Sequence, residues 1–274
     1  IIHKNDRELI ATLFAGKPKN IIQTVEYRAH HKNGEYIWLE SSARAIVDRT
    51  TSKIIEAQTA SRNITGRKSA EKALQTAHDN LQGAYERTIE GWVRALDLRD
   101  RETEGHTQRV TELTLKVART LGFTEEDLSH IRRGALLHDM GKMAIPDEIL
   151  QKPGPLNETE WHEMRKHPVY AYNMLSPISY LHPALTIPLY HHERWDGSGY
   201  PHKLKGEDIP KVARMFAIVD VWDALCSDRP YRKSMPHSEV AAYIKDNSGI
   251  LFDPSLVKVF LSVIKAESNK QNQS

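Results

Sequence analysis

In IRRGALLHDMGKMAIP, residues 131–146, an apolar helical run reaches Leu137. It then sets His138 and Asp139 side by side at its C-terminal end, next to Gly141 and Lys142. Neighbouring helical positions point about 100° apart, so the two side chains straddle a site rather than stack. A carboxylate has two oxygens and can bridge two metal ions, while the adjacent imidazole binds one of them. The alternative is a capped helix end at which the macrodipole stabilises His138. Within these sixteen residues both stand.

The surrounding stretches favour a metal. RDRETEGHTQRV (99–110) places Glu102 and His106 four residues apart, on one face if helical. MRKHPVYAYNML (164–175) supplies His167 just before a proline, where a helix must break and restart. HHERWDGSGYP (191–201) sets His191 and His192 ahead of a tight turn with two glycines and a proline. RMFAIVDVWDALCS (214–227) buries Asp220 in an apolar helical run, where an unpaired carboxylate is costly and needs a strong partner. Asp223, one turn later, reads as supporting or structural. Glu193 reads as orienting an imidazole N–H, with direct ligation as the alternative.

Glu102, His106, His138, Asp139, His167, His191, His192 and Asp220 thus offer imidazoles and carboxylates without cysteine. That mixture suits Fe or Mn, with Zn, Ni, Mg and Ca as alternatives. It exceeds the needs of one ion, so a binuclear or trinuclear centre is expected. Two ions about 3.5–4 Å apart can hold a bridging hydroxide. The other histidines, His130 and His237 among them, read as surface or local hydrogen-bonding groups.

Beyond about Ala95 the pattern is helical, with helices expected at 106–121, 125–139, 158–166, 169–176, 183–193, 211–227, 237–247 and 254–267. Thr124 with Asp127 and Asn157 with Glu160 resemble capping boxes, and Pro254 suits a first turn. The tail ESNKQNQS reads as frayed. From Gly66 to about Ala95 a proline-free run carries heptads, with Leu74, Leu81 and Thr88 in one series and Ala70, Ala77, Ala84 and Gly91 in the other. A parallel two-helix coiled coil, hence a homodimer, is expected; a single solvated linker helix is the alternative. Residues 20–65 read as three antiparallel strands (TVEYRAH, EYIWLESSARAIVD and KIIEAQTASRNIT) after a short helical piece, DRELIATLFAG. Such a small sheet needs a partner layer.

The chain of 274 residues has a net charge of +2, too small to argue for a nucleic-acid polymer or a membrane surface. It contains no apolar run of the roughly 18 residues that a spanning helix needs. A single cysteine, Cys226, fits a reducing cytoplasm and reads as a buried small hydrophobe. The start at Ile1 rather than Met suggests an excised or processed fragment.

LLHDMGK (136–142) followed by HHERWDGSGYP and DVWDALCSDRPYR (220–232) resembles the HD-GYP branch of the HD-domain metal-dependent phosphohydrolases, over residues 96–265. The resemblance implies an all-helical domain that hydrolyses cyclic di-GMP to pGpG or GMP. It implies His106, His138, Asp139, His167, His191, His192 and Asp220 as metal ligands, and Glu102 as the extra carboxylate of trinuclear members. It implies Asp139 and Lys142 at the catalytic centre, with Lys142, Tyr200, Arg229 and Arg232 on the substrate. EYRAHHKNGEYIWLESSARAIVD and NITGRKSAEKAL resemble the C-terminal half of a PAS sensor. The expected organisation is a partial PAS module over 1–65, a signalling helix over 66–95, a catalytic domain over 96–267 and a flexible tail over 268–274. Two other functions stay open: a catalytically weak receptor that binds partners, and a hydrolase of another cyclic dinucleotide such as cyclic GMP-AMP.

Overall fold

β-Branched and aromatic residues between 23 and 63 form the three expected strands: β1 (Gln23–His30), β2 (Tyr36–Val47) and β3 (Ile54–Asn63). The structure, a computed structural model, describes residues 2–10, 23–48, 50–51, 54–100, 105–228 and 233–271. It divides into two units, Ile1–Ala84 and Tyr85–Ser274.

In the first unit the strands pair antiparallel in the order β1-β2-β3, with Glu26 opposite Glu40 and Ser41 opposite Ser61. Polar contacts cross the middle of the sheet. The Ser41 hydroxyl donates to Tyr27 Oη at 3.0 Å and lies 2.6 Å from the Ser61 hydroxyl. Among the described residues few apolar side chains are buried here, Ala43 and Ile64 being two of them, which is why the sheet alone is a thin structure. Arg28 grips Asp6 through Nε and Nη2 at 2.9 and 2.7 Å, tying a 3-10 turn (Lys4–Asp6) to β1. Residues 7–10 are helical, and the rest of the expected N-terminal helix lies outside the described residues. The Asn63 side chain accepts the Thr65 N–H at 2.9 Å and so starts the next helix.

That helix, α1 (Thr65–Asp100), carries the heptad series and passes from the first unit into the second. Leu74 and Leu81 are exposed on it, whereas Ile89, Val93 and Leu96, spaced four and three apart, are buried.

The second unit is helical: α2 (His106–Thr120), α3 (Glu125–Leu136), α4 (Asp147–Leu150), α5 (Glu158–Met164), α6 (His167–Leu175), α7 (Thr186–Tyr190), α8 (Lys211–Cys226), α9 (His237–Asp246) and α10 (Pro254–Gln271). Both capping boxes form as expected, and Pro254 opens α10. One core packs α2, α3, α8, α9 and α10 around Val110, Ile131, Phe216, Trp222 and Phe260. A second joins Ile89 and Val93 of α1 to Leu137, Met140, Leu175 and Leu181. α10 covers Ser268–Gln271, the first part of the stretch expected to be a tail.

Two expected helices are shorter than their sequence pattern. The helix read over 125–139 stops at Leu136, and a 3-10 segment (Met140–Ala144) follows. The helix read over 183–193 splits into a 3-10 segment (Ser179–Ala184) and α7, because Pro183 and Pro188 each remove a ladder donor. Cys226 is half-buried against the first core rather than fully buried. Among the described residues no helix is long and apolar enough to cross a membrane.

Candidate metal centre

Three of the expected ligands stand just beyond a helix end, and this fixes how they present themselves. A helix leaves its last carbonyls without an internal partner. His138 Nδ1 donates to Ala135 O at 2.8 Å behind α3, and His167 Nδ1 to Met164 O at 2.8 Å behind α5. His191 Nδ1 donates to Ile187 O and Pro188 O, both at 3.1 Å, behind α7. Each ring carries its proton on Nδ1 and turns an Nε2 lone pair into the interior. The three imidazoles are almost completely buried, and among the described residues His138 Nε2 has no hydrogen-bond partner. A buried lone pair without a donor is costly unless a cation fills the space before it.

The inward atoms form two groups. Donor atoms of Asp139, His167, His191 and His192 lie within 4.8 Å of one another, as do those of His106, His138 and Asp220. Asp139 faces both. Its Oδ1 lies 3.3 Å from His167 Nε2 and 3.7 Å from His191 Nε2, while its Oδ2 lies 3.2 Å from His138 Nε2. His167 and His191 point their Nε2 atoms at each other across 3.4 Å, and with both protons on Nδ1 two lone pairs meet there, an arrangement that suits a shared cation.

The charges agree with this. Burial alone would raise the Asp139 carboxyl, but Lys142 and His138 outweigh it and hold its pKa well below the usual range. Asp220 is likewise lowered against the effect of burial, by His106 and His138. Burial, with His191 and His167 beside it, lowers His192 well below the ordinary imidazole value, and burial lowers His191. Two ionised carboxylates beside His138, which Asp139 and Asp220 raise despite its burial, and beside His191 and His192, which burial lowers, make a donor set for divalent cations. These residues fit a metal.

Gly141 allows the two groups to meet. A Cβ there would lie 1.8 Å from His167 O and 2.6 Å from Ala171 N, so only glycine lets the 3-10 segment press against α6. Gly199 acts similarly, since its Cβ would lie 2.5 Å from His192 O. The loop after the paired histidines thereby folds back, with the Tyr200 N–H on His192 O at 3.2 Å and the two rings stacked 4.6 Å apart.

The HD domain family matches residues 92–256, well over half of the chain. The chain belongs to the HD domain family. With His138-Asp139 and the Gly199-Tyr200-Pro201 turn, it is of the HD-GYP kind expected from the sequence. Residues 1–60 match the PAS fold family. Among curated relatives, the cyclic di-GMP phosphodiesterase response regulator RpfG of Xanthomonas campestris is 40% identical over 70% of this chain and 52% of its own length. A 3'3'-cGAMP-specific phosphodiesterase 2 of Vibrio cholerae is 41% identical over 61% of this chain and 32% of its own. The chain therefore spans a third to a half of these relatives. A solved HDG"Y"P protein of Bdellovibrio bacteriovorus, Bd1817, aligns with a TM-score of 0.50 at 22% identity, over 61% of this chain and 53% of that one, and shows the shared fold.

In this HD domain seven of the eight expected ligands converge: His106, His138, Asp139, His167, His191, His192 and Asp220. Glu102, Arg229 and Arg232 lie outside the described residues. Lys142 stands beside the cluster, its Nζ 2.8 Å from Asp139 Oδ2. Tyr200 is held as a phenol, its pKa raised by burial and by Asp139 and Asp220.

The expectation for Glu193 is corrected. Its buried carboxylate accepts the backbone N–H groups of His202 and Leu204, at 2.7 and 3.0 Å, and pins the returning loop instead of orienting an imidazole. A loop that turns back on itself exposes peptide N–H groups that need an acceptor. Asp223 does orient one: His106 Nδ1 lies 2.7 Å from its Oδ2, while Arg109 Nε donates to its Oδ1 at 2.7 Å. Arg109, three residues after His106, was not singled out in the sequence. Its signal was the helical spacing that puts it one turn beyond His106.

Proposed function

We propose that this chain is a metal-dependent phosphodiesterase acting on cyclic di-GMP, with Fe or Mn in a binuclear or trinuclear centre. The observation that carries this is Asp139, whose two oxygens face two separate groups of imidazoles. His167, His191 and His192 would hold one ion, His106, His138 and Asp220 another, and Asp139 both; Glu102 would serve a third. Bound divalent ions would polarise a phosphoryl oxygen and lower the pKa of water toward neutrality.

The chain's own groups account for binding and orientation. Lys142 places an ammonium where a phosphoryl oxygen gains charge, and charge-assisted donors of this kind are the stronger ones. Tyr200, stacked on His192, lines the mouth of the site and offers a phenol O–H to the sugar-phosphate or a face to a guanine. Arg229 and Arg232 would complete the phosphate contacts. His191 and His192 stay available as ligands because burial opposes their protonation. The products would be pGpG, and GMP after a second cleavage.

The relatives named for cyclic di-GMP support this substrate, and the Vibrio relative named for 3'3'-cGAMP supports a second one on the same centre. The PAS-like residues 1–65 would regulate a cytoplasmic homodimer, paired along α1 through the exposed Leu74 and Leu81. The test is metal analysis with turnover of both dinucleotides by the whole chain and Asp139→Asn. Wild type should hold at least two ions and cleave cyclic di-GMP faster. Full metal and full rate in Asp139→Asn would sink the bridging role, and faster cleavage of 3'3'-cGAMP would reassign the substrate.

A further inference from the structure

The C-terminal turn of α1 lies within the second unit and ends beside Lys142. Lys142 Nζ lies 2.8 Å from Asp100 Oδ2, as close as it lies to Asp139 Oδ2. The Asp100 side chain is only 8% exposed and that of Lys142 12%. The preceding residue grips the backbone around this lysine. Arg99 Nη1 donates to Lys142 O at 3.0 Å and to Met143 O at 2.9 Å. Its Nη2 donates to Ile145 O at 2.6 Å, and Nε and Nη2 both reach Asp147 Oδ1, at 2.9 and 2.7 Å. These carbonyls lie at and just beyond the end of the 3-10 segment Met140–Ala144, where Lys142 O also accepts the Ile145 N–H at 3.0 Å. The planar fork of a guanidinium is suited to holding several acceptors in one arrangement.

α1 is fastened further up as well. Glu86 accepts from the buried Arg133 Nε at 2.9 Å and from Arg132 Nη1 at 3.1 Å, both on α3. α3 leads straight into His138 and Asp139. Between these fastenings Ile89, Val93 and Leu96 are buried.

We propose that Asp100 is a positioning residue for Lys142, with Arg99 fixing the segment that carries it, so that the last turn of α1 sets where the ammonium stands. A lysine ends a flexible four-carbon stem and is poorly aimed by itself. Two carboxylates aim it, Asp139 from the metal cluster and Asp100 from the last turn of α1. A turn of α1 of one residue would swing Asp100 by about 100° and slide it by about 1.5 Å, breaking its contact with Lys142. α1 therefore bears on the active site through two named side chains. This rests on the function proposed above, in which Lys142 meets the scissile phosphate.

The test uses the whole metal-loaded chain and Asp100→Asn, Asp100→Glu, Lys142→Gln and the double variant. Asp100→Asn should lower kcat about tenfold, the scale expected when a reacting group is misplaced by a fraction of an ångström, with KM and metal content unchanged. Asp100→Glu should restore part of the rate. In the Lys142→Gln background, Asp100→Asn should add nothing, because its effect passes through the lysine. A full additional tenfold loss there would overturn the proposal. Independently of turnover, the rate at which an amine-reactive ester labels Lys142 should rise severalfold in Asp100→Asn relative to Lys152 as internal standard. An unchanged labelling rate would equally overturn it. Absence of turnover in wild type would refute the phosphodiesterase reading, while the labelling result still judges the contact.

Discussion

Replacing Gly141 by alanine should dismantle the metal centre without touching a ligand. The added Cβ would meet His167 O at 1.8 Å and Ala171 N at 2.6 Å, both backbone atoms of α6 that no rotamer change can move. The gap to His167 O must open by about 1.2 Å to reach 3.0 Å, a limit below which real Cβ atoms essentially never go. His167 rides on that backbone, and metal–ligand distances tolerate only about ±0.2 Å. Asp139, two residues before Gly141, would be carried away from His167 by the same movement. Overpacking of this kind costs about 1–3 kcal/mol. At about 2–4 °C per kcal/mol for a unit of this size, melting should fall by about 2–12 °C. Calorimetry of the metal-free protein measures the packing cost, and titration with Mn measures the centre. Gly141→Ala should bind less than one ion at concentrations that saturate wild type. Normal melting together with two tightly bound ions would refute the claim that glycine is needed for the close approach.

Asp223→Asn leaves His106 without the carboxylate that orients it, and should weaken metal binding about 10–100-fold, measured by the same titration; unchanged affinity would free His106 from this dependence. Leu74→Asp with Leu81→Asp should raise the dimer dissociation constant at least about tenfold, seen by sedimentation, since charges at core heptad positions oppose pairing; an unaltered association would remove the heptads from the interface. In the first unit, the side-chain hydrogen bond from Arg28 pulls the Asp6 carboxyl down to about 2 from an ordinary 3.8. Because the folded value is the lower one, the contribution is complete above about pH 4 and is lost as the pH falls through about 2. Amide protection in β1, corrected for intrinsic exchange, should fall over that window in wild type and stay flat in Asp6→Asn. A fall of equal size in both would exclude Asp6 as its source.

Helix class and the side chains that converge on the candidate centre were legible in the chain because each rests on local chemistry. Capping boxes at Thr124 and Asn157 need only residues three apart, and the strands announce themselves by alternation and turn residues. His138 and Asp139 stood out because a histidine and an aspartate ending an apolar run ask for a partner. Their tautomers did not stand out, since these depend on where α3, α5 and α7 stop. Prolines, tight packing at Gly141 and the carbonyls left over at each helix end together settle that point. Glu193 looked like an imidazole partner by adjacency, yet a folded-back loop nine and eleven residues on claimed its oxygens. Asp100 lay within the stretch that supplied His106 and drew no notice, because its partner Lys142 is 42 residues away. Residue types and their short spacings establish which groups can bind metal and which segments are helical, for those are properties of neighbours along the chain. Which oxygen faces which ring, and which helix end holds the lysine, depend on packing between distant segments, and only the folded chain brings those together.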